Sequence, residues 1–324
     1  MAEKYAKTVK LDERDRRLLA ELERDGRASL TTLAKRVKLS KDAVAYRIRR
    51  MEEEKVLLGF YTLLNITKLG LSGFKVAVKL QNATPEKRSE IIEYLKKNVA
   101  GWMASCDGRW DLVFIAWKES AGEFERLLTD FLSKYGEFVG ERDLNILTEG
   151  CWFNRKFLAK GGRVLEVRWG EERKGGGVDE KDQKILRALV DNARMRLVEL
   201  ADVVGMTPEG VKNRIGAMER EGVISGFKPV INTSALGYQF YNVMIRLNNP
   251  RAIKKMFAFL KEHPNVVYYS KYAGSFDICA DIEIEGPEEF RKVMDEFRKN
   301  FAENIRTYEP LLVYEEHRRS YSPF

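Results

Sequence analysis

Residues 35–50, KRVKLSKDAVAYRIRR, carry the side chains most able to do chemistry on a polyanion. Lys35, Arg36 and Lys38 precede a short KLS turn, and Ser40, Lys41, Asp42, Ala45, Tyr46, Arg47, Arg49 and Arg50 follow it. Val44, Ile48 and Met51 recur at helical spacing, so they form an inner stripe and leave the other residues on an outer face. Arginine and lysine neutralise phosphates and match the acceptor edge of guanine. Tyr46 suits a thymine methyl or a phosphate, and Ser40 suits the N-cap of the helix. Arg47 sits at the edge of the stripe, where either an ion pair within the fold or a phosphate contact would use it. A helix of this width fits a DNA major groove with its N-terminal half near the base edges. The competing reading is that a charged helix face is simply solvated.

The chain supplies an internal control. Residues 11–80 match residues 178–247 without a gap, with 24 identities in 70 positions. After a one-residue deletion, DGRWDLVF at 107–114 aligns with AGSFDICA at 273–280. Two copies are too few for a solenoid and point to a duplicated unit packed as a pseudo-symmetric pair. The scaffold is kept in both copies while the charge is not. Residues 27–55 hold nine Lys/Arg and four Asp/Glu, whereas residues 194–222 hold five of each. Lys41, Ala45, Tyr46, Arg49 and Arg50 become Pro208, Lys212, Asn213, Gly216 and Ala217, while Arg47 persists as Arg214. Charge kept for solubility alone would be needed equally in both.

Periodicity then places the elements. Leu18, Leu19 and Leu22, then Leu30, Leu33, Ala34 and Val37, then Val44, Ile48 and Met51 mark three short helices in about 45 residues. Three residues between the last two force a steep crossing, the helix-turn-helix arrangement. Beyond Val56 the pattern turns extended, and strands alternate with helices in the order βαββαβ, a ferredoxin-like split motif. The fold class is therefore α+β, with each repeat a three-helix, winged-helix-like unit followed by a βαββαβ unit. The expected divisions are residues 1–60, 61–154, 155–177, 178–227 and 228–324. The segment 155–177 is basic, with seven Lys/Arg against three Glu. Gly161-Gly162 suggests a hairpin there and Gly175 to Gly177 a flexible joint; the segment reads as a solvated linker, or as a further DNA contact.

Composition narrows the classes. Net charge is +8, from 57 Lys+Arg against 49 Asp+Glu, which permits a polyanionic partner without proving one. Cys106, Cys151 and Cys279 are odd in number and widely spaced, as expected of free thiols in a reducing cytosol. No apolar run approaches the roughly 18 residues of a membrane span, and the N-terminus lacks an apolar signal core. A cytoplasmic protein is expected. No CxxC, HExxH, Walker loop or strand-borne GxGxxG is present, so neither a metal site nor a cofactor is indicated.

The stretch LDERDRRLLAELERDGRASLTTLAKRVKLSKDAVAYRIRRMEEEKVLLGF closely resembles the DNA-binding half of the leucine-responsive regulator (Lrp/AsnC) family, and the βαββαβ block resembles that family's ligand-sensing RAM domain. The resemblance covers nearly the whole chain, twice. It implies a transcription regulator that binds double-stranded DNA sequence-specifically, self-associates as a homodimer or higher, and responds to an amino acid or another small effector. DGRWD and AGSFD resemble the family's Gly-x-x-Asp turn near the effector cleft. Gly108, Asp111, Gly274 and Asp277 are carried over on that basis, although a turn glycine and a strand-capping aspartate are also common structural devices. Fusion of two repeats departs from the single-repeat chains usual in the family.

Two other classes compete. A relative of the family decarboxylates a modified, sirohaem-type tetrapyrrole using two such subunits, and a fused pair would mimic that heterodimer. It would need His or Arg groups lining a porphyrin-sized pocket, and the chain's two histidines, His263 and His317, sit in no constellation. An architectural protein binding DNA through charge alone is the third class; Tyr46 and the cations at the helix start favour base reading. The reading taken forward is a non-enzymatic regulator, with the two RAM-like sheets face to face, the helical units at the ends, and the first unit as DNA reader.

Overall fold

The computed structural model describes residues 8–99, 101–159, 164–170, 177–318 and 323. Each repeat opens with three helices: α1 (Glu13–Arg24), α2 (Leu30–Val37) and α3 (Lys41–Glu53) in the first. The second repeat has α6 (Glu180–Val190), α7 (Leu197–Val204) and α8 (Pro208–Arg220). Their starts follow from sequence. Asp12 and Asp15 form a reciprocal cap on α1, as Asp179 and Asp182 do on α6. The turn into α3 needs a left-handed residue: Lys38 takes it at φ 55°, and Gly205 fills the same place in the second copy at φ 68°.

The helical units are not separated at opposite ends. Strands β1 (Leu57–Leu64) and β7 (Ile224–Ile231) pair antiparallel into a ribbon between them. Reciprocal bonds tie each unit to the other's strand. Gly26 N–H donates to Phe227 O and Ala193 N–H to Phe60 O, at 2.9 and 3.0 Å. Arg27 donates to Ala193 O and Arg194 to Gly26 O, each at 2.6 Å. Each guanidinium also lies over the opposite repeat's phenylalanine, Phe227 or Phe60. Equivalent residues swap partners across a pseudo-two-fold axis.

The βαββαβ units follow. The first comprises β2 (Ser72–Leu80), α4 (Pro85–Asn98), β3 (Met103–Asp107), β4 (Leu112–Lys118), α5 (Ala121–Tyr135) and β5 (Val139–Phe153). The second comprises β8 (Gln239–Leu247), α9 (Ile253–Glu262), β9 (Val266–Gly274), β10 (Ile278–Ile284), α10 (Pro287–Phe301) and β11 (Ile305–Arg318). The strand orders are β5-β2-β4-β3 and β11-β8-β10-β9, the ferredoxin-like arrangement in both. The expectation of two separate sheets face to face needs correction. The sheets join along both edges, β3 to β11 and β9 to β5, into one closed eight-stranded barrel. Closure pairs edge strands that would otherwise expose backbone donors and acceptors.

The segment after β5 also differs from expectation. The hairpin arms are Gly150–Phe153 of β5 and the short strand β6 (Glu166–Trp169), with a 3-10 turn at Lys156–Leu158. The expected turn at Gly161-Gly162 and the joint at Gly175 and Gly176 lie outside the described residues.

Among the described residues three apolar cores result. α4 and α5 cover one outer face of the barrel, and α9 and α10 cover the other. The third core runs from both helical units, through Leu18, Leu19 and Leu22 and through Ile185, Leu186 and Leu189, into the barrel interior at Trp117 and Leu147. Burying each such side chain stabilises by roughly 1.5–3 kcal/mol, so the helical units and the barrel share one packing interior. All three cysteines are free and buried, and burial pushes the Cys279 thiol up to about 11. No helix among the described residues is long and apolar enough to cross a membrane.

Candidate nucleic-acid interface

The turn between α2 and α3 is built as the spacing predicts. Ser40 Oγ accepts Ala43 N–H at 3.1 Å, and Val44, Ile48 and Met51 are buried. Lys35, Lys38, Lys41, Asp42 and Arg49 are exposed, Ala45 is half-buried, and Tyr46 is 64% exposed, an unusual place for a ring with no core to fill. These side chains form one face in front of the turn.

Three of the predicted cations point elsewhere. Arg47 is only 16% exposed and donates to Asp12 at 2.7 Å and to Asp15 at 2.6 Å. Arg50 donates to the other Asp15 oxygen at 2.5 Å. Arg36 reaches Glu21 at 3.2 Å. Asp15 is fully buried, so two arginines and the Asp12 N–H neutralise its carboxylate. Burial alone would raise the Asp12 pKa, but the Asp15 N–H and Arg47 outweigh it and hold that carboxylate down at about 2. Of the two roles open to Arg47 from sequence, the geometry supplies the ion pair. Arg214 does the same in the second copy, at 2.7 Å from Asp179 and 2.8 Å from Asp182. The clamp between first and third helices is shared; the exposed cations are not. Asp15, Arg27 and their equivalents Asp182 and Arg194 were missed as a group. Their identity in both repeats was the available signal.

On the second unit the matching face has Pro208, Lys212, Asn213 and Gly216 where the first has Lys41, Ala45, Tyr46 and Arg49, and its one cation, Lys212, lies 3.5 Å from Glu209. α7 exposes Val198 and Val203, at 60% and 58%, where α2 has Thr31 and Arg36. Such a surface offers little to phosphate.

The two Gly-x-x-Asp turns are equivalent in space. Asp111 accepts Leu80 N–H, and Asp277 accepts Leu247 N–H, each at 2.7 Å. A side chain at Gly108 would press on Leu311 and Pro310, and one at Gly274 would strike Asn145 at 2.3 Å. These glycines let the long strand of the opposite repeat pass, and these aspartates cap strand ends. The structure brings the four residues to the two barrel seams and gives each a structural task.

Arg155, expected in a solvated linker, is half-buried between two buried carboxylates. It donates to both oxygens of Glu23, through its N–H and Nη1, and to both oxygens of Glu283, at 2.6–2.8 Å. Inside the barrel, Lys75 donates to Asn242 at 2.9 Å and to Cys279 Sγ at 3.3 Å, and Asn242 donates to Asp281 at 2.5 Å. Burial pushes the Asp281 carboxyl up to about 7, against the opposing pull of Lys75 and Asn242. No group of metal-ligating side chains occurs among the described residues.

A profile of the AsnC-type helix-turn-helix domain matches residues 11–52, and one for winged helix-turn-helix DNA-binding domains matches residues 178–225. A proline dehydrogenase transcriptional activator of Rhodobacter capsulatus is 35% identical over 122 residues, which span 37% of this chain and 79% of that protein. The chain belongs to the Lrp/AsnC family of transcription regulators. An HTH-type transcriptional regulator of Pyrococcus furiosus is 31% identical over 40% of this chain and 88% of its own length. Each relative thus corresponds to less than half of this Lrp/AsnC chain, as a duplication requires. Over nearly the full length, the chain resembles the siroheme decarboxylase NirDL, with a TM-score of 0.61 at 14% identity, covering 94% of this chain and 92% of that one. That likeness shows the fold alone, and it shows that an enzyme can be built on it.

The large cavity of this Lrp/AsnC chain suits a tetrapyrrole polycarboxylate less well than the regulator reading suits the rest. It has about 930 Å³, enough room, but among the described residues seven acidic side chains and only Lys55, Arg155 and Lys228 as bases line it. Neither histidine lines it. His317 Nε2 sits 2.7 Å from Ser105 Oγ, and His263 Nδ1 accepts Asn265 N–H at the end of α9.

Proposed function

We propose that this chain is a sequence-specific DNA-binding transcription regulator in which the first helical unit reads the duplex and the second braces it. The observation that carries the reading is the exposed set Lys35, Lys38, Lys41, Tyr46 and Arg49 in front of a capped turn, absent from a second copy of the same scaffold. Cations there would contact phosphates and guanine edges, and Tyr46 would meet a thymine methyl or the backbone. One reading helix covers a few base pairs, so tight binding calls for two chains on a two-fold site. A homodimer of this chain therefore presents two readers and two braces. Small-molecule control, at the Gly108–Asp111 and Gly274–Asp277 turns or elsewhere, belongs to the same proposal. No catalytic role is assigned.

The test is a binding selection from randomised duplexes, followed by salt-titrated affinity for the selected site. An enriched two-fold motif, bound with a steep salt dependence that Lys41→Ala with Arg49→Ala weakens, supports the reading. Absence of any motif would favour charge-only architectural binding.

A further inference from the structure

Tyr61 and Lys228 occupy equivalent positions in the two repeats and face each other as cross-strand partners in the β1–β7 ribbon. The pseudo-two-fold axis therefore passes between them. The barrel interior is unlike on its two sides of that axis. Ile115 and Trp117 of β4 have Asp281 and Glu283 of β10 as their equivalents. On the first side Trp117 packs edge to face on Trp169, with ring centroids 5.6 Å apart. On the second side lies the cavity of about 930 Å³, bounded by the ribbon and by strands β5, β8, β9, β10 and β11. The fold accepts apolar side chains at these two positions, so it does not itself call for carboxylates there.

The charges lining the cavity do not cancel. Arg155 takes both oxygens of Glu23 and both of Glu283, and Lys228 stands in the field of the same Glu23. Glu54 is offset by its neighbour Lys55. Asp107, Asp281, Glu315 and Glu316 then add four carboxylates against no further lining base among the described residues. Asp281 is 4% exposed, and its Oδ1 accepts Asn242 at 2.5 Å. Its Oδ2 has no donor among the described residues and faces the cavity. Lys75 reaches Asn242 and Cys279 instead of Asp281. A buried carboxylate so sparsely served is costly, and a bound cation would remove that cost.

The cation is organic and extended. No group of three metal-ligating side chains occurs among the described residues, so the carboxylates are spread out instead of gathered round a point. Trp152, Phe240 and Tyr268 line the space between the strands. Aromatic faces suit both methylene groups and ammonium ions. We infer that this cavity binds a linear aliphatic polyamine, with one ammonium on Asp281, its methylene chain against the aromatic walls, and a further ammonium at the exposed Asp107 and Glu315. An α-amino acid is disfavoured, because its carboxylate meets the same acids. Binding is read on the free protein, so its outcome is independent of the DNA-binding assignment.

The experiment is calorimetry on the full chain without DNA, at fixed ionic strength, using spermidine, cadaverine, L-lysine and Mg²⁺ as probes. One spermidine should bind saturably per chain, and Mg²⁺ should not displace it. L-Lysine, which is cadaverine with a carboxylate added, should bind at least about tenfold more weakly than cadaverine. Asp281→Asn should weaken spermidine by about tenfold or more, the worth of a charged hydrogen bond. Asp107→Asn with Glu315→Gln, both at exposed positions, should weaken it by about twofold to fivefold. Glu288→Gln, on the exposed face of α10, removes one surface charge outside the cavity and should leave the affinity unchanged. Absence of saturable binding at millimolar spermidine, displacement by Mg²⁺, or tighter binding of L-lysine than of cadaverine would each overturn the inference. So would unchanged affinity in the cavity variants, or an equal loss in Glu288→Gln.

Discussion

The two helical units share a backbone plan, a capping scheme and an arginine clamp, yet differ in nearly every exposed residue of the third helix. α3 presents Lys41, Tyr46 and Arg49 where α8 presents Pro208, Asn213 and Gly216. What survived in both copies is what the fold consumes: the buried stripe, and Arg47 or Arg214 on its aspartates. What diverged is what only a partner could use. Duplication thus separates residues kept for folding from residues kept for binding, within one molecule and without any other sequence.

The clamp gives the largest expected effect. Asp15→Ala leaves Arg47 and Arg50 without their buried partner and should cost about 3 kcal/mol in urea unfolding. Asp182→Ala should cost about 1 kcal/mol, because one half-exposed arginine remains served by Asp179. Equal costs would mean that the clamps are less alike than they look.

Next comes the reading face. Lys41→Ala with Arg49→Ala should lower affinity for a selected duplex by roughly 100-fold and reduce the salt slope by about two. Lys212→Ala, on the matching face of the second unit, should change affinity by less than about twofold. Fluorescence anisotropy across a salt series reads both, and similar losses in the two units would end the division of labour. The reverse graft sharpens it: Pro208→Lys with Gly216→Arg should strengthen binding to non-cognate duplex by about threefold to tenfold. No gain would mean that the second unit is turned away from the DNA.

The smallest effect concerns pH. Asp281 is held up at about 7 by burial, above its ordinary value of 3.8. Its contribution to stability is therefore full only below its ordinary value of 3.8, where both folded and unfolded chains hold the proton, and is lost progressively as pH rises from there to about 7. Melting temperature should fall by a few degrees from about pH 5 to pH 8, and Asp281→Asn should flatten that fall. An unchanged slope would remove Asp281 as its cause.

Much of this architecture could be read from the chain. The six helices of the two DNA-binding-type units and both βαββαβ runs announce themselves because Leu18, Leu22, Val44 and Ile48 recur at helical spacing and SGFKVAVKL alternates. The exposed face of α3 was legible for the same reason: once the stripe is fixed, the remaining positions face out. Closure of the barrel was not legible, because pairing Cys106 with Val313 or Gly150 with Ser270 leaves no local trace. The charges drawn into the fold were equally hidden. Lys75, Glu283 and Arg155 read as solvent-facing until their partners, many residues away in sequence, are brought to them. The ion pair of Arg50 was hidden for a related reason: its neighbour Arg49 faces out, and only the position of Asp15 tells the two apart.

Because both seams of the barrel run between repeats of one polypeptide, the pairing cannot be undone by dilution. Separate subunits would part when scarce, whereas a tether keeps each half at a local concentration set by chain length alone. The asymmetric axis is thereby guaranteed in every molecule, one Tyr61 always opposite one Lys228, however few copies are made.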